Sequence, residues 1–167
     1  MNTMITKVAV VVLSIGFFAS VANVSEAFAV SKPNVDQKAL ILTTINDMNA
    51  AFQKGDMDGV MRAYEPGAVV VGQPGAPVSG DASLRGMFAG FIAAKARFTF
   101  QGHEVIQSGD TAAHFAPWTM TGVGPDGKPI SGKGLSVAVL RRQADGRWLM
   151  VIDNPFGDAF PSGSKLH

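Results

Sequence analysis

The sequence predicts an α+β fold, three N-terminal helices packed on a curved antiparallel sheet, and three observations predict it. Residues 34 to 95 carry apolar side chains at helical spacing, and residues 96 to 154 read as strands. Turn signals at Ser108-Gly109, Pro125-Asp126-Gly127 and Asp145-Gly146 separate those strands. Helices followed by an antiparallel meander of four strands is the α+β plan, with the helices on one face of the sheet.

The chain has 167 residues. Residues 1–29 read as a signal peptide: Lys7 is a positive n-region, Val8 to Phe18 an apolar h-region, and Ala27-Phe28-Ala29 a small-x-small cleavage site. The run is shorter than the roughly 20 residues of a spanning helix, which favours cleavage over anchoring. The mature chain then starts at Val30 as one domain over residues 30–157, with a small, polar, flexible tail over 158–167. Export to a periplasm or the medium fits a chain with no cysteine, and no disulfide framework or thiolate chemistry is available to it. A net charge of +1 without a basic stripe points away from nucleic acid and from an anionic membrane surface.

Asn34, with Gln37 three residues on, forms a capping box for the first helix. Ile41, Ile45, Met48 and Phe52 recur on one face of it, and Gly55 ends it. Asp56 caps a short second helix through Tyr64, stopped by Glu65-Pro66. Val69 to Val71 is a short strand, Gln73-Pro74-Gly75 a turn, and Ser83 to Lys95 a third helix presenting Leu84, Met87, Phe88 and Phe91.

The turns set the sheet register. A two-residue Ser108-Gly109 turn puts His103 opposite His114. Pairing Gly124 with Lys128 puts His114 opposite Ala138, and a two-residue Asp145-Gly146 turn puts Ala138 opposite Asp153. The expected row is therefore His103, His114, Ala138, Asp153, with His114 and Asp153 two strand spacings of about 4.8 Å apart. One face then carries Arg97, Thr99, Gln101, His103, His114, Trp118, Ser136, Ala138, Val151 and Asp153. The other carries Phe98, Phe100, Ile106, Phe115, Leu135, Val137, Val139, Trp148, Met150 and Ile152, with Glu104 and Asn154. On patterning alone the second face reads as the core; a one-residue slip would exchange the two and promote Glu104 and Asn154.

AAFQKGDMDGVMRAYEPGAVVV, PVSGDASLRGMF and WTMTGVGPDGKPISGKG leading into LRRQADGRWLMVID resemble the SnoaL-like branch of the nuclear transport factor 2-like (cystatin-like cone) superfamily, over about residues 35 to 157. The resemblance implies a cone-shaped sheet. It also implies that positions Ala138, Val151 and Asp153 line the cavity, while the opposite, apolar face serves a homodimer. Ketosteroid isomerases of this superfamily need a carboxylate base, a tyrosine and a protonated carboxylic acid where this chain has Gly72, Met48 and Ala138, so their mechanism is not expected here.

The expected catalytic pair is Asp153 and His114, acting as general acid and base. Tyr64, Trp118, His103, Ser136, Ala138 and Val151 are the expected ligand-binding residues. The plainer readings are a strand-end Asp153 bonded to loop amides, a satisfied core histidine at 114, and Tyr64 and Trp118 as packing residues with a polar tip. His103, His114 and Asp153 spread over three spacings are too far apart for one metal ion, and nothing in the sequence implies a cofactor. VGPDGKPISGKG is no phosphate loop, because no strand-to-helix transition follows it. Two functions fit. One is a domain that binds a small apolar or mixed-polarity molecule, with isomerase, lyase or hydrolase type acid–base chemistry in the cavity; the other is a non-catalytic homodimeric binding or assembly module.

Overall fold

A computed structural model describes residues 36–159. The leader expected at 1–29 lies outside them, as does the tail beyond Ala159. Among the described residues no helix is long and apolar enough to cross a membrane.

Helix α1 (Gln37–Lys54) is capped by Asp36, two residues later than Asn34: its carboxylate accepts from the amides of Lys38 and Ala39. Ile41, Ile45 and Phe52 are buried along one stripe, and Gly55 ends the helix in the left-handed region at φ 74°. Helix α2 (Met57–Met61) is capped by Asp56 but stops short of Tyr64, which opens strand β1 (Tyr64–Gln73). Tertiary pairing overrides the helical pattern there, because Tyr64 pairs with Met150. Pro66 is accommodated where the β1 register shifts, between Tyr64 and Val69. The turn at Pro74-Gly75 leads into a strand that the sequence reading missed, β2 (Ala76–Ser79), and Gly80 then opens α3 (Asp81–Ala93), which buries Leu84 and Phe88.

The remaining strands are β3 (Arg97–Phe100), β4 (Glu104–Ser108), β5 (Thr111–Val123), β6 (Pro129–Arg142) and β7 (Trp148–Asn154). They form one seven-stranded sheet in the order β2-β1-β7-β6-β5-β3, with β4 also on β5. The antiparallel part runs through five strands, β3 to β7, rather than the four expected, and β1 joins it through a parallel pairing with β7, so the sheet is mixed rather than wholly antiparallel. The buried core lies between its inner face and the helices, and includes Ile41, Ile45, Val60, Leu84, Leu140, Trp148 and Met150.

The register matches the sequence reading across β5–β6, where His114 pairs with Ala138, and at the end of β6–β7, where Ala138 pairs with Asp153. Two other junctions differ. Ser108 pairs with Thr111, so the first hairpin turns at Gly109-Asp110 and Val105, not His103, lies opposite His114. The chain then breaks strand geometry at Gln101 to His103, and β3 resumes one residue out of phase, pairing Phe98 with Met120 and Phe100 with Trp118. Phe98 and Phe100 thus turn inward, while Arg97 and Thr99 are exposed.

The last hairpin contains two deviations that cancel. Its loop is one residue longer than expected, closed by the Gln143 amide donating to the Arg147 carbonyl at 2.7 Å, with Gly146 at φ 88°. A bulge then places Val151 between the pairs Leu140–Met150 and Val139–Ile152, which restores the register at Asp153. The bulge also breaks the alternation. Trp148 and Met150 share the inner face with Asp153, correcting their expected placement, and Ile152 points out at 46% exposed.

Candidate functional site

The inner face of the sheet and the helices enclose a cavity of about 120 Å³. Its wall is built largely from aromatic and thioether side chains, among them Met48, Phe52, Phe88, Phe98, Trp118 and Met120. The polar groups reaching it are Asn49, Tyr64, His114, Ser136 and Asp153.

Asp153 comes from the end of β7, after the bulge, and Ala138 beside it contributes only a methyl group. Tyr64 reaches it from the start of β1, and its hydroxyl donates to Asp153 Oδ2 at 2.7 Å. Phe88 of α3 lies over the Tyr64 ring, with centroids 5.6 Å apart, and holds it in place. Asp153 is 6% exposed. Burial pushes its carboxyl up to about 6, and the hydrogen bond from Tyr64 opposes that shift. The Tyr64 hydroxyl is in turn raised well above its ordinary value, by burial first and then by the neighbouring Asp153 charge.

His114 stands two strands away, on β5, and is 1% exposed. Burial pushes its imidazole down to about 4, and the charge of His103 adds to that. Its Nε2 lies 2.9 Å from Nδ1 of His103. Its Nδ1 is buried with no hydrogen-bond partner, alone in this among the side-chain nitrogens and oxygens of the described residues. A buried polar atom left unpaired costs about 1–3 kcal/mol.

Trp118, farther along β5, is also fixed in the wall. Its indole N–H donates to the Pro155 carbonyl at 2.7 Å, and Phe156 packs edge-on against it. Gly134, its cross-strand partner, makes room: a Cβ there would stand 2.8 Å from Trp118 Cζ2.

Of the expected site residues, Asp153, His114, Tyr64, Trp118, Ser136 and Ala138 line the cavity. His103 does not line it and instead backs His114. Val151 also falls outside the wall, because it is the bulge residue. Asp153 bonds Tyr64 rather than loop amides, and the amide of Phe156 is held by Asn154 instead. Sequence reasoning missed Phe98, Phe100, Met120, Met150 and Phe156, all of which line the cavity. Gly102, in the middle of the break between β3 and β4, is the signal that could have warned of the phase change. Of the positions matching the ketosteroid isomerase triad, Met48 and Ala138 line the cavity without an ionisable group, and Gly72 packs against Met87. Among the described residues no three His, Asp or Glu side chains gather as metal ligands.

The model of the SnoaL-like domain matches residues 45–151. No curated protein matches the sequence. Solved structures do. A ketosteroid isomerase-like protein from Erwinia carotovora atroseptica is 20% identical, with TM-score 0.63, over 72% of this chain and 95% of that one. A nuclear transport factor 2-like protein with a cystatin-like fold from Novosphingobium aromaticivorans is 19% identical, with TM-score 0.59, over 77% of this chain and 84% of that one. At such identities the likeness is one of fold. With the family model spanning most of the helices and the sheet, the chain belongs to the SnoaL-like domain family, and its fold is like that of the nuclear transport factor 2-like structures.

Proposed function

We propose that the cavity binds a small, largely apolar molecule and moves a proton on it, with Asp153 as the general base and Tyr64 as the group that holds and tunes it. The observation that carries this reading is the 2.7 Å hydrogen bond between two buried ionisable side chains at the wall of an otherwise apolar cavity. A carboxyl raised to about 6 is mostly ionised at neutral pH, yet basic enough to take a proton from carbon or oxygen. The reaction class is isomerisation, elimination or hydrolysis. His114 offers a second polar contact two strand spacings away, near 10 Å across the methyl of Ala138.

Size and charge restrict the ligand. A cavity of 120 Å³ is below the roughly 300–1,000 Å³ of drug-sized sites and near the ~150 Å³ that admits benzene, so the body of the ligand is about one ring. No Lys or Arg lines it, so an ionised Asp153 disfavours anionic ligands. The signal-peptide pattern read in residues 1–29 supports export to the periplasm or the medium as part of this proposal.

The test is mass spectrometry of molecules released from the purified protein, followed by turnover of the compound found. Asp153→Asn keeps the side-chain shape and is expected to lower turnover by about 10²–10⁴-fold while the molecule still binds. Unchanged turnover contradicts the assignment.

A second reading, a non-catalytic homodimeric binding or assembly module, draws on the outer face of the sheet. There Ile106 is 61% and Ile152 46% exposed, beside the half-buried Phe115, Val137 and Val139. A homodimer through this face is compatible with either reading, and sedimentation of the wild type against Ile152→Lys tests it.

A further inference from the structure

His103 has no place in the chemistry above, since it lies behind the cavity wall. We infer that His103 and His114 form a two-imidazole proton wire connecting the cavity with solvent, in which His103 is the outlet. The inference rests on the proposed reading of the cavity as a proton-transfer site, and it adds the route by which a proton leaves and returns.

Three observations carry it. First, the rings meet end to end. Nδ1 of His103 and Nε2 of His114 are 2.9 Å apart, the planes differ by 28°, and the centroids are 5.2 Å apart. Since each ring nitrogen lies roughly 1.1 Å from its ring centre, that centroid separation requires nearly collinear rings sharing an N–H···N bond, not a face-to-face stack. Second, the two remaining nitrogens face different surroundings. His114 lines the cavity and its Nδ1 is buried without a partner. His103 is half-buried, and among the described residues its Nε2 has no partner yet is not one of the buried unpartnered atoms, so it is open to water. Third, the break in strand geometry at Gln101 to His103 is what brings this ring to His114, because its register partner is Val105. Tyr64 and Asp153 are the other titratable groups on the cavity wall.

The wire balances. With Nε2 of each ring protonated, His114 Nδ1 takes a proton from the bound molecule, the His114 Nε2 proton passes to His103 Nδ1, and the His103 Nε2 proton goes to water. Both rings end as neutral Nδ1–H tautomers, and the shared bond has reversed direction. The return stroke runs the other way: water protonates His103 Nε2, His103 Nδ1–H passes to His114 Nε2, and His114 Nδ1–H is delivered to the molecule. A reaction that removes one proton and returns one resets the pair. Concerted transfer matters here because burial disfavours a free imidazolium at His114.

The experiment needs no substrate, because water admitted to the cavity takes the place of the bound molecule as proton donor to His114 Nδ1. Exchange of the His114 side-chain N–H with solvent is followed by ¹⁵N NMR on the full chain, in wild type, His103→Asn and His103→Phe. The asparagine amide can keep a hydrogen bond to His114 Nε2 but cannot pass a proton. Exchange then depends on local opening and slows by at least about tenfold in both variants. A purely structural role for His103 predicts wild-type exchange in His103→Asn, and that result overturns the wire. His103→Asn decides the matter by itself if His103→Phe does not fold. Slowed exchange in a protein that releases no ligand and turns nothing over would leave the wire standing and sink the proposed function instead.

Discussion

The two ends of the row His114–Ala138–Asp153 line one cavity and are both buried, yet they respond in opposite directions. Desolvation penalises whichever form is charged, so it raises the acid at one end to about 6 and lowers the base at the other to about 4. Their partners also differ. Asp153 accepts a proton-rich contact from Tyr64, which supports its anion, whereas His114 faces a second imidazole, which discourages its cation. At neutral pH the site therefore holds an anion at one end and a neutral imidazole at the other. An apolar cavity has been given polarity without an internal ion pair.

The most severe way to break the contrast is to neutralise its anionic end. Asp153→Asn is expected to cost about 10²–10⁴-fold in turnover, more than His114→Gln, which removes the relay but leaves the general base, as measured by initial rates on the identified substrate. Equal losses at both ends would remove the distinction.

Stability against pH sharpens it further. Between about pH 4 and 6 the folded chain holds an Asp153 proton that the unfolded chain has released, so Asp153 makes stability fall as pH rises. Over about pH 4 to 6.5 the folded chain lacks a His114 proton that the unfolded chain holds, so His114 makes stability rise. In wild type the two nearly cancel. Asp153→Asn leaves His114 alone, and stability is expected to rise by about 2 kcal/mol across that interval; His114→Gln leaves Asp153 alone, and stability is expected to fall by a similar amount. Urea titrations at pH 4.5 and 6.5 measure both slopes, and slopes of the same sign in the two variants contradict the contrast.

Tyr64→Phe is a smaller perturbation. It removes the hydrogen bond that opposes the rise in Asp153, so the carboxyl midpoint moves above 6, at a cost of about 1 kcal/mol in stability measured by the same titration. Ile152→Lys, on the outer face, is expected to change the stability of a single copy by less than about 0.5 kcal/mol, because no inner contact is lost.

Much of this arrangement was legible in the sequence, and the exceptions share one cause. Turn chemistry placed His114 opposite Ala138 correctly, because Gly124 and Lys128 flank the loop as the pattern implied. It placed Asp153 opposite Ala138 only because a longer loop and the Val151 bulge offset each other. Where no compensation occurred, as between β4 and β3, an entire strand changed face and Phe98 and Phe100 joined the cavity. Bulges leave no periodic trace, since one extra residue looks like ordinary sequence until its neighbours are known. Tyr64 illustrates the converse. Its helical context was local, but its partner Asp153 is 89 residues away and prevails through pairing and a buried hydrogen bond.

The carboxyl carbon of Asp153, followed by ¹³C NMR from pH 3 to 8 in the full chain, tests the central claim most directly. A midpoint of about 6 that moves higher in Tyr64→Phe is expected. A midpoint near the ordinary 3.8, unmoved by that substitution, would mean that Asp153 is solvated and carries no proton for the cavity.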